Sequence, residues 1–352
     1  MNQHQIEFLR NKLIKWYDKN ARVLPWRNHP TPYEVMLSEI MLQQTRVDTV
    51  KSYYVNFLEV VPTIFDLAKL PDEQLYKLWQ GLGYYSRAKN LKKAAMIIVD
   101  EYAGVVPSNK EDLLKLPGIG DYSSGSIASI AYGKKYSAVD GNVLRVIARI
   151  TSNQGDIASP NVKREIQQLV EEILPMDRVG DFNQSLMELG ATICLPNGAP
   201  KCEECPLNSI CLAKEKGLID SIPLKTKKKA RTIEKKTVFM IETKNSICLS
   251  QRSETGLLFN LWELPNTFGY LNLNEVKKYL ENNQITEYEV NQLEPSRHIF
   301  SHIEWDMIGY RVRLNEQKPI ENMVWASEIE LKSRYSVPTA FQKFVKQWNK
   351  SK

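Results

Sequence analysis

The sequence predicts a chain of two parts, a larger all-helical one followed by a smaller one of α/β character. Three observations carry this. Apolar residues recur at helical spacing through the first half of the chain, and from Thr237 onward they fall on every second position instead. Four cysteines, at 194, 202, 205 and 211, mark the end of the helical part. A lysine-rich stretch then separates it from the strands. At 352 residues the chain has room for two or three domains of about 150 residues each. It shows no signal-peptide pattern and no apolar run of membrane-spanning length, so a soluble, cytoplasmic protein with no membrane partner is expected. The net charge of +6 is mildly basic. Residues 214–236 hold nine Lys/Arg against three Asp/Glu, a balance of +6, so the rest of the chain sums to zero.

Residues 4–20 carry an amphipathic stripe of Ile6, Leu9, Leu13, Ile14 and Tyr17. The segment from Arg22 to Asn28 places Trp26 and Arg27 beside a proline; Trp26 reads either as a core anchor or as a flat wall for a base. Pro32 suits the first turn of a helix, and Met36, Ile40, Val47, Val50, Tyr54 and Phe57 trace one stripe over the turns that follow. Glu39 lies at the edge of that stripe. A carboxylate against apolar neighbours has a raised pKa, which suits a general acid, whereas the ordinary fate of such a residue is a solvated helix glutamate. Gln43, Gln44 and Thr45 are polar groups able to bond bases or phosphates. Gly81-Leu82-Gly83-Tyr84-Tyr85-Ser86-Arg87 pairs a flexible loop with aromatics and an arginine, which reads as a helix stop and restart or as a loop that inserts a ring between bases.

Leu116-Pro117-Gly118-Ile119-Gly120 is a turn between two helical patterns. Such a turn reads either as an ordinary helix–helix connection or as one that aims free backbone N–H groups at a phosphate. The following helix begins with Tyr122 and is rich in small residues. Asp140 stands twenty residues after Gly120, in Val139-Asp140-Gly141-Asn142, where Asn142 can orient it. Residues 161–190 are helical again and present Gln184, which reads either as a helix-surface amide or as a reader of a base's polar edge.

The cysteine gaps of seven, two and five residues fit tetrahedral zinc or a [4Fe–4S] cluster. Beyond the linker at 214–232, Val238, Met240, Ile247, Leu249, Ile303, Trp305 and Met307 alternate as strands do, and residues 275–281 read as a helix. Phe300-Ser301-His302 falls on a loop between strand patterns.

Together LPWRN (24–28), LSEIMLQQTRV (37–47), GLGYYSRA (81–88), LPGIG and VDGNV resemble the endonuclease III superfamily of helix-hairpin-helix DNA glycosylases, and within it the MutY-type adenine glycosylases. The resemblance runs over nearly the whole chain. It implies a helical glycosylase domain over 1–213 with an iron–sulfur loop at 194–211, and a MutT/Nudix-like domain over 233–352. It makes Glu39 the general acid, Asp140 the stabiliser of the sugar cation, and Trp26, Arg27 and Gln184 the walls of the adenine pocket. Gln43, Gln44, Thr45, Tyr84, Arg87, Leu116, Gly118 and Gly120 become DNA contacts, and Phe300, Ser301 and His302 the readers of 8-oxoguanine. It favours a [4Fe–4S] cluster over zinc on Cys194, Cys202, Cys205 and Cys211. Bifunctional relatives carry a lysine nucleophile where this chain has Tyr122, so base excision without a Schiff base is expected. The expected partner is duplex DNA with an A:8-oxoguanine or A:G mispair, bound by a monomer. A non-catalytic binder of damaged DNA is the alternative; it has no need of both Glu39 and Asp140. Residues 237–352 contain no glycine followed by the REx2E-type metal helix of Nudix hydrolases, so nucleotide hydrolysis is not expected.

Overall fold

The computed structural model describes residues 1–226, 230–253 and 255–349. Its contacts divide the chain into two compact units, Met1–Lys69 with Lys89–Lys227, and Leu70–Ala88 with Lys228–Lys352. No helix of the described residues is long and apolar enough to cross a membrane.

The first unit is helical: α1 (Gln3–Asn20), α2 (Pro32–Leu42), α3 (Val47–Val60) and α4 (Ile64–Lys69) precede the excursion into the second unit, which holds α5 (Asp72–Leu78) and the first residues of α6 (Ser86–Glu101). Then follow α7 (Lys110–Leu113), α8 (Asp121–Tyr132), α9 (Gly141–Thr151), α10 (Pro160–Ile173), α11 (Val179–Thr192) and α12 (Leu212–Glu215). The single stripe expected from Met36 to Phe57 is split between α2 and α3, because Gln44 takes φ +58° and ends the first helix. The Thr31 side chain and Glu34 cap α2 reciprocally, with Pro32 in its first turn. Helix α9 carries the apolar face Val143, Val146, Ile147 and Ile150, which packs with Leu9 and Leu13 of α1 and Phe182, Leu186 and Leu189 of α11 into one core.

Helices α7 and α8 form the hairpin. Gly118 has φ +81°, and a Cβ there would stand 2.9 Å from Asn90 Cβ, so a side chain is excluded on two grounds. Gly120 is different: its φ is −101°, open space surrounds it, and it serves as the uncapped N-cap of α8.

Two boundaries depart from expectation. Leu70–Ala88, placed by its motifs in an unbroken helical domain over 1–213, packs with the second unit: Lys77 Nζ donates to Leu331 O at 2.8 Å, Gln80 Nε2 to Val337 O at 2.7 Å, and the rings of Tyr76 and Phe259 meet edge-on. The solvated linker expected to begin at 214 begins later. Ile222 is buried in the helical core, and Ile157 N donates to Leu224 O, which ties the segment to its own unit. The remaining lysines of the run, 227–229, lie outside the described residues.

The second unit is built on a seven-stranded sheet among the described residues: β1 (Thr232–Glu242), β2 (Ser246–Gln251), β3 (Trp262–Glu263), β4 (Asn266–Phe268), β5 (Glu289–Ile299), β6 (Ile303–Arg313) and β7 (Met323–Ser327). The order β3-β2-β1-β6-β5 pairs β1 and β6 in parallel over their full length, with β4 on β1 and β7 on β2. Alternation predicted one buried face. In β1 every residue from Lys236 to Glu242 is buried, because both faces are covered. Helix α13 (Leu273–Asn282) shares one core with Phe239 and Ile241; α15 (Gln342–Asn349) and α14 (Glu328–Ser333) lie on the other side with Val238 and Met240.

Candidate active site

A cavity of about 490 Å³ opens in the helical unit. Glu39 of α2, Tyr122 of α8, and Asp140 with Asn142 at the start of α9 all line it, as do Trp26, Arg27 and Gln184. Gln43, Gln44 and Thr45 stand on the same wall. Ten of the expected site residues, from five separate stretches of sequence, therefore meet in one place.

Glu39 is 6% exposed, and its Oε2 has no hydrogen-bond partner. Burial pushes its carboxyl above the ordinary glutamate range; the nearby Tyr122 and Ser126 hydroxyls oppose the shift without completing a well-formed hydrogen bond, and the Asp140 charge adds to it. Asp140 is held quite differently. It is the N-cap of α9: Oδ1 accepts from the backbone N–H groups of Asn142 (2.9 Å) and Val143 (2.8 Å), and Oδ2 accepts from Asn142 Nδ2 at 2.7 Å. Burial raises its pKa too, but these donors and Arg145 pull against it. Donors to the charged form favour ionisation. Of the two carboxyls, Asp140 is thus the one equipped to remain an anion and Glu39 the one equipped to hold a proton. Tyr122 bonds only weakly, to Met187 Sδ at 3.5 Å, and burial lifts its phenol well above the ordinary range.

The opposite wall rests on a residue that sequence reasoning missed. Glu188 of α11 has a fully buried side chain and accepts from Arg27 Nη2 at 2.8 Å and from Arg22 Nε at 2.6 Å. Arg27 in turn donates to Gln184 Oε1 at 3.2 Å. Gln184 is one turn before Glu188 on the same helix, so the amide's orientation depends on the ion pair behind it. Trp26 is both things expected of it: buried, edge-on to Tyr54 at 5.4 Å, and a wall of the cavity. The i,i+4 spacing of Gln184 and Glu188 was the available signal, but their basic partners stand more than 150 residues away in sequence.

Arg145, also missed, is buried behind Asn142. Its Nη2 donates to Asn142 Oδ1 (3.0 Å) and Gly190 O (2.7 Å), and its Nε to Cys194 O (2.7 Å). Arg149, one turn on, donates from Nη1 to Cys194 Sγ at 3.2 Å. The four cysteines surround one common cavity. Burial pushes the Cys205 thiol up to about 11, against a backbone N–H from Leu207, and raises Cys211 against N–H groups of Lys214 and Ala213. Thiols so placed ionise when a cation is bound to them.

Other expected DNA contacts do not line the cavity. Leu116 is buried in the hairpin turn. Tyr84, in the second unit, takes φ +49° with its ring exposed, and its hydroxyl shares a 2.6 Å hydrogen bond with Ser301 Oγ. Ser301 and His302 form the tip of the β5–β6 hairpin, while Phe300 packs edge-on against Trp305. Arg87 needs correction as a DNA contact. It is buried, donates to the carbonyls of Leu82 and Gly83, and lies over the Trp79 and Tyr84 rings, so it braces the loop from within.

Comparison with known proteins agrees with this geometry. Residues 37–172 match the model of the HhH-GPD superfamily base excision DNA repair proteins, and residues 237–347 that of the NUDIX domain. The chain is 32% identical to the adenine DNA glycosylase of Homo sapiens, over 96% of this chain and 73% of that one. It is 36% identical to the adenine DNA glycosylase of Buchnera aphidicola subsp. Schizaphis graminum, over 88% of this chain and 89% of that one. A thermostable thymine-DNA glycosylase of known structure superposes with a TM-score of 0.54 at 30% identity, covering 60% of this chain and 98% of its own. The chain belongs to the adenine DNA glycosylase family of base-excision repair enzymes.

Proposed function

We propose that this glycosylase hydrolyses the N-glycosidic bond of adenine mispaired with 8-oxoguanine or guanine in duplex DNA. The observation that carries the chemistry is the contrast across the cavity: Glu39 buried with an oxygen unpartnered, Asp140 half-buried with both oxygens accepting N–H donors. Adenine is extruded into the cavity, at a cost of a few kcal/mol that is lower for a mispair. Glu39 gives its proton to N7 of the purine, a step of the kind worth about 10²–10⁴-fold. The C1′–N9 bonding pair leaves with the base, and the sugar's developing positive charge faces Asp140. Water completes the hydrolysis. Tyr122 offers a phenol where a lyase needs an amine, so the abasic product is released without a Schiff-base intermediate. Phe300, Ser301 and His302 read the 8-oxoguanine, and Gln43, Gln44, Thr45, Tyr84 and the α7–α8 hairpin hold the duplex. The protein acts as a monomer.

The same reading places a [4Fe–4S] cluster on Cys194, Cys202, Cys205 and Cys211. Four thiols around one cavity fit such a cluster or a zinc ion, and the family resemblance favours the cluster. The group, when bound, ties the 194–211 loop together; the residues that would hold it are those four, with Arg149 donating to one sulfur.

Single-turnover excision on A:8-oxoguanine, A:G and A:T duplexes, with alkali to reveal abasic sites, tests the proposal. Excision from the first two, and its abolition with retained duplex binding in Glu39→Gln and Asp140→Asn, is expected. Wild-type turnover by Glu39→Gln removes the assignment.

A further inference from the structure

A second buried polar group near Glu39 lacks a partner. Ser126 is 0% exposed, on α8 one turn beyond Tyr122, and its Oγ makes no hydrogen bond of good geometry. Buried helix serines usually return their hydroxyl to a carbonyl one turn back. Two neighbours on the same helix do so: Ser124 Oγ donates to Asp121 O at 2.9 Å and Ser129 Oγ to Ser126 O at 3.3 Å. Ser38 on α2 does the same with Val35 O, at 2.9 Å. Ser126 forgoes that bond. Its hydroxyl bears on the Glu39 carboxyl and on the Tyr122 hydroxyl. A buried hydroxyl without a partner is costly, so its idleness in the resting protein calls for a reason.

We propose that Ser126 is a positioning residue for the acid, its hydroxyl turning to donate to the Glu39 carboxylate as that carboxylate forms. The inference rests on Glu39 being the general acid. The proton that moves is Glu39's own and goes to the purine; Ser126 keeps its proton and only changes direction. While Glu39 is protonated the contact is idle. Once Glu39 carries negative charge, a donor stands within reach and no water need enter. An interaction made only as charge develops lowers the barrier without tightening substrate binding. Tight packing holds the α8 backbone that carries Ser126: a Cβ on Gly125 would meet Ser137 O at 2.0 Å, so the helix cannot shift on that side. The other charged and titratable groups bearing on Glu39 are Tyr122 from α8, Asp140 from the start of α9 and Arg27 from the turn before α2.

Two measurements on the full chain test this. The first is an infrared titration of the protonated Glu39 carboxyl, its band assigned by its loss in Glu39→Gln. Removing one donor worth about a factor of five moves the midpoint up by about 0.7 pH unit in Ser126→Ala. The second is single-turnover excision of adenine opposite 8-oxoguanine against pH. Ser126→Ala is expected to excise about fivefold more slowly at its optimum, with its alkaline limb displaced upward by the same interval. Ser126→Thr, which keeps the hydroxyl, returns both toward wild type. Ser126→Ala melts no lower than wild type, since it deletes an unpaired buried group, which separates positioning from a structural role. An unmoved midpoint and an unchanged rate in Ser126→Ala overturn the proposal. A moved midpoint in a protein that excises no adenine overturns instead the role of Glu39 as the acid, and the positioning role falls with it.

Discussion

Replacing Glu188 by glutamine probes the wall behind the adenine pocket. The wild-type carboxylate is fully buried and receives Arg27 Nη2, Arg22 Nε and Arg22 Nη2 at 2.8, 2.6 and 3.1 Å. Removing one partner of a buried pair costs about 3–5 kcal/mol, because the other charge stays behind uncompensated. The Arg22 side chain is 37% exposed, so its share is screened by solvent; the Arg27 side chain is only 15% exposed and carries most of the effect. Glutamine keeps the shape and one acceptor, which places the expected loss near the lower bound, about 3 kcal/mol. Urea unfolding followed by circular dichroism at neutral pH measures it. Repeating it in acid supplies a second check. Burial raises the Glu188 pKa, but Arg22 and Arg27 outweigh it and hold the carboxyl below its ordinary value. A depressed folded pKa gives stability that is fully present above the unfolded pKa and is lost as pH falls through the folded one. The gap between wild type and Glu188→Gln is therefore complete near neutrality and closes below about pH 4. A variant within about 1 kcal/mol of wild type at pH 7 refutes the reasoning, since that is the worth of an exposed pair.

Glu39 has the opposite sign. Its folded pKa is raised by burial, so the folded state binds the proton more tightly and its ionisation is a cost that grows as pH rises above the unfolded value. Glu39→Gln should accordingly melt higher than wild type at pH 7–8 and show no gain below about pH 4, as scanning calorimetry at several pH values would reveal. Gly190→Ala puts a Cβ 2.6 Å from Asn142 Cβ and 3.1 Å from its backbone oxygen, so Asn142 must give way and release its bond to Asp140. A fall of about tenfold or more in single-turnover excision is expected, with duplex binding retained; unaltered excision would show that the contact is absorbed elsewhere. Arg145→Lys loses the fork that joins Asn142, Gly190 O and Cys194 O, and should lower both urea resistance and excision, read on the same samples.

Much of the site was legible because its chemistry sits in local patterns. Asp140 could be placed from its tight turn, Glu39 from its position at an apolar edge, and the hairpin from proline and glycine spacing. Ion pairs across 160 residues leave no such trace: nothing near Glu188 announces Arg22 and Arg27. Arg87 misled for a related reason, since a basic residue in a Gly-rich loop looks the same whether it faces phosphate or its own carbonyls. Strand β1 was found by alternation, yet its even burial on both faces depends on α13 and α15, which lie elsewhere in sequence. Ile222 was overlooked because one apolar residue among lysines carries no period, although the folded chain buries it completely.

The path of the polypeptide has a practical consequence. It leaves the helical unit after Lys69, comes back at Lys89 and departs a second time after Lys227, so three crossings join the two bodies. No single cut separates them. A shortened protein that stops at the lysine run keeps Leu70–Ala88 but strips away the backbone acceptors of Lys77 and Gln80 and the ring that meets Tyr76. Anyone dissecting this enzyme by truncation therefore removes the support of the GLGYY loop together with the strands, and a defect in such a fragment cannot be charged to the lost sheet alone.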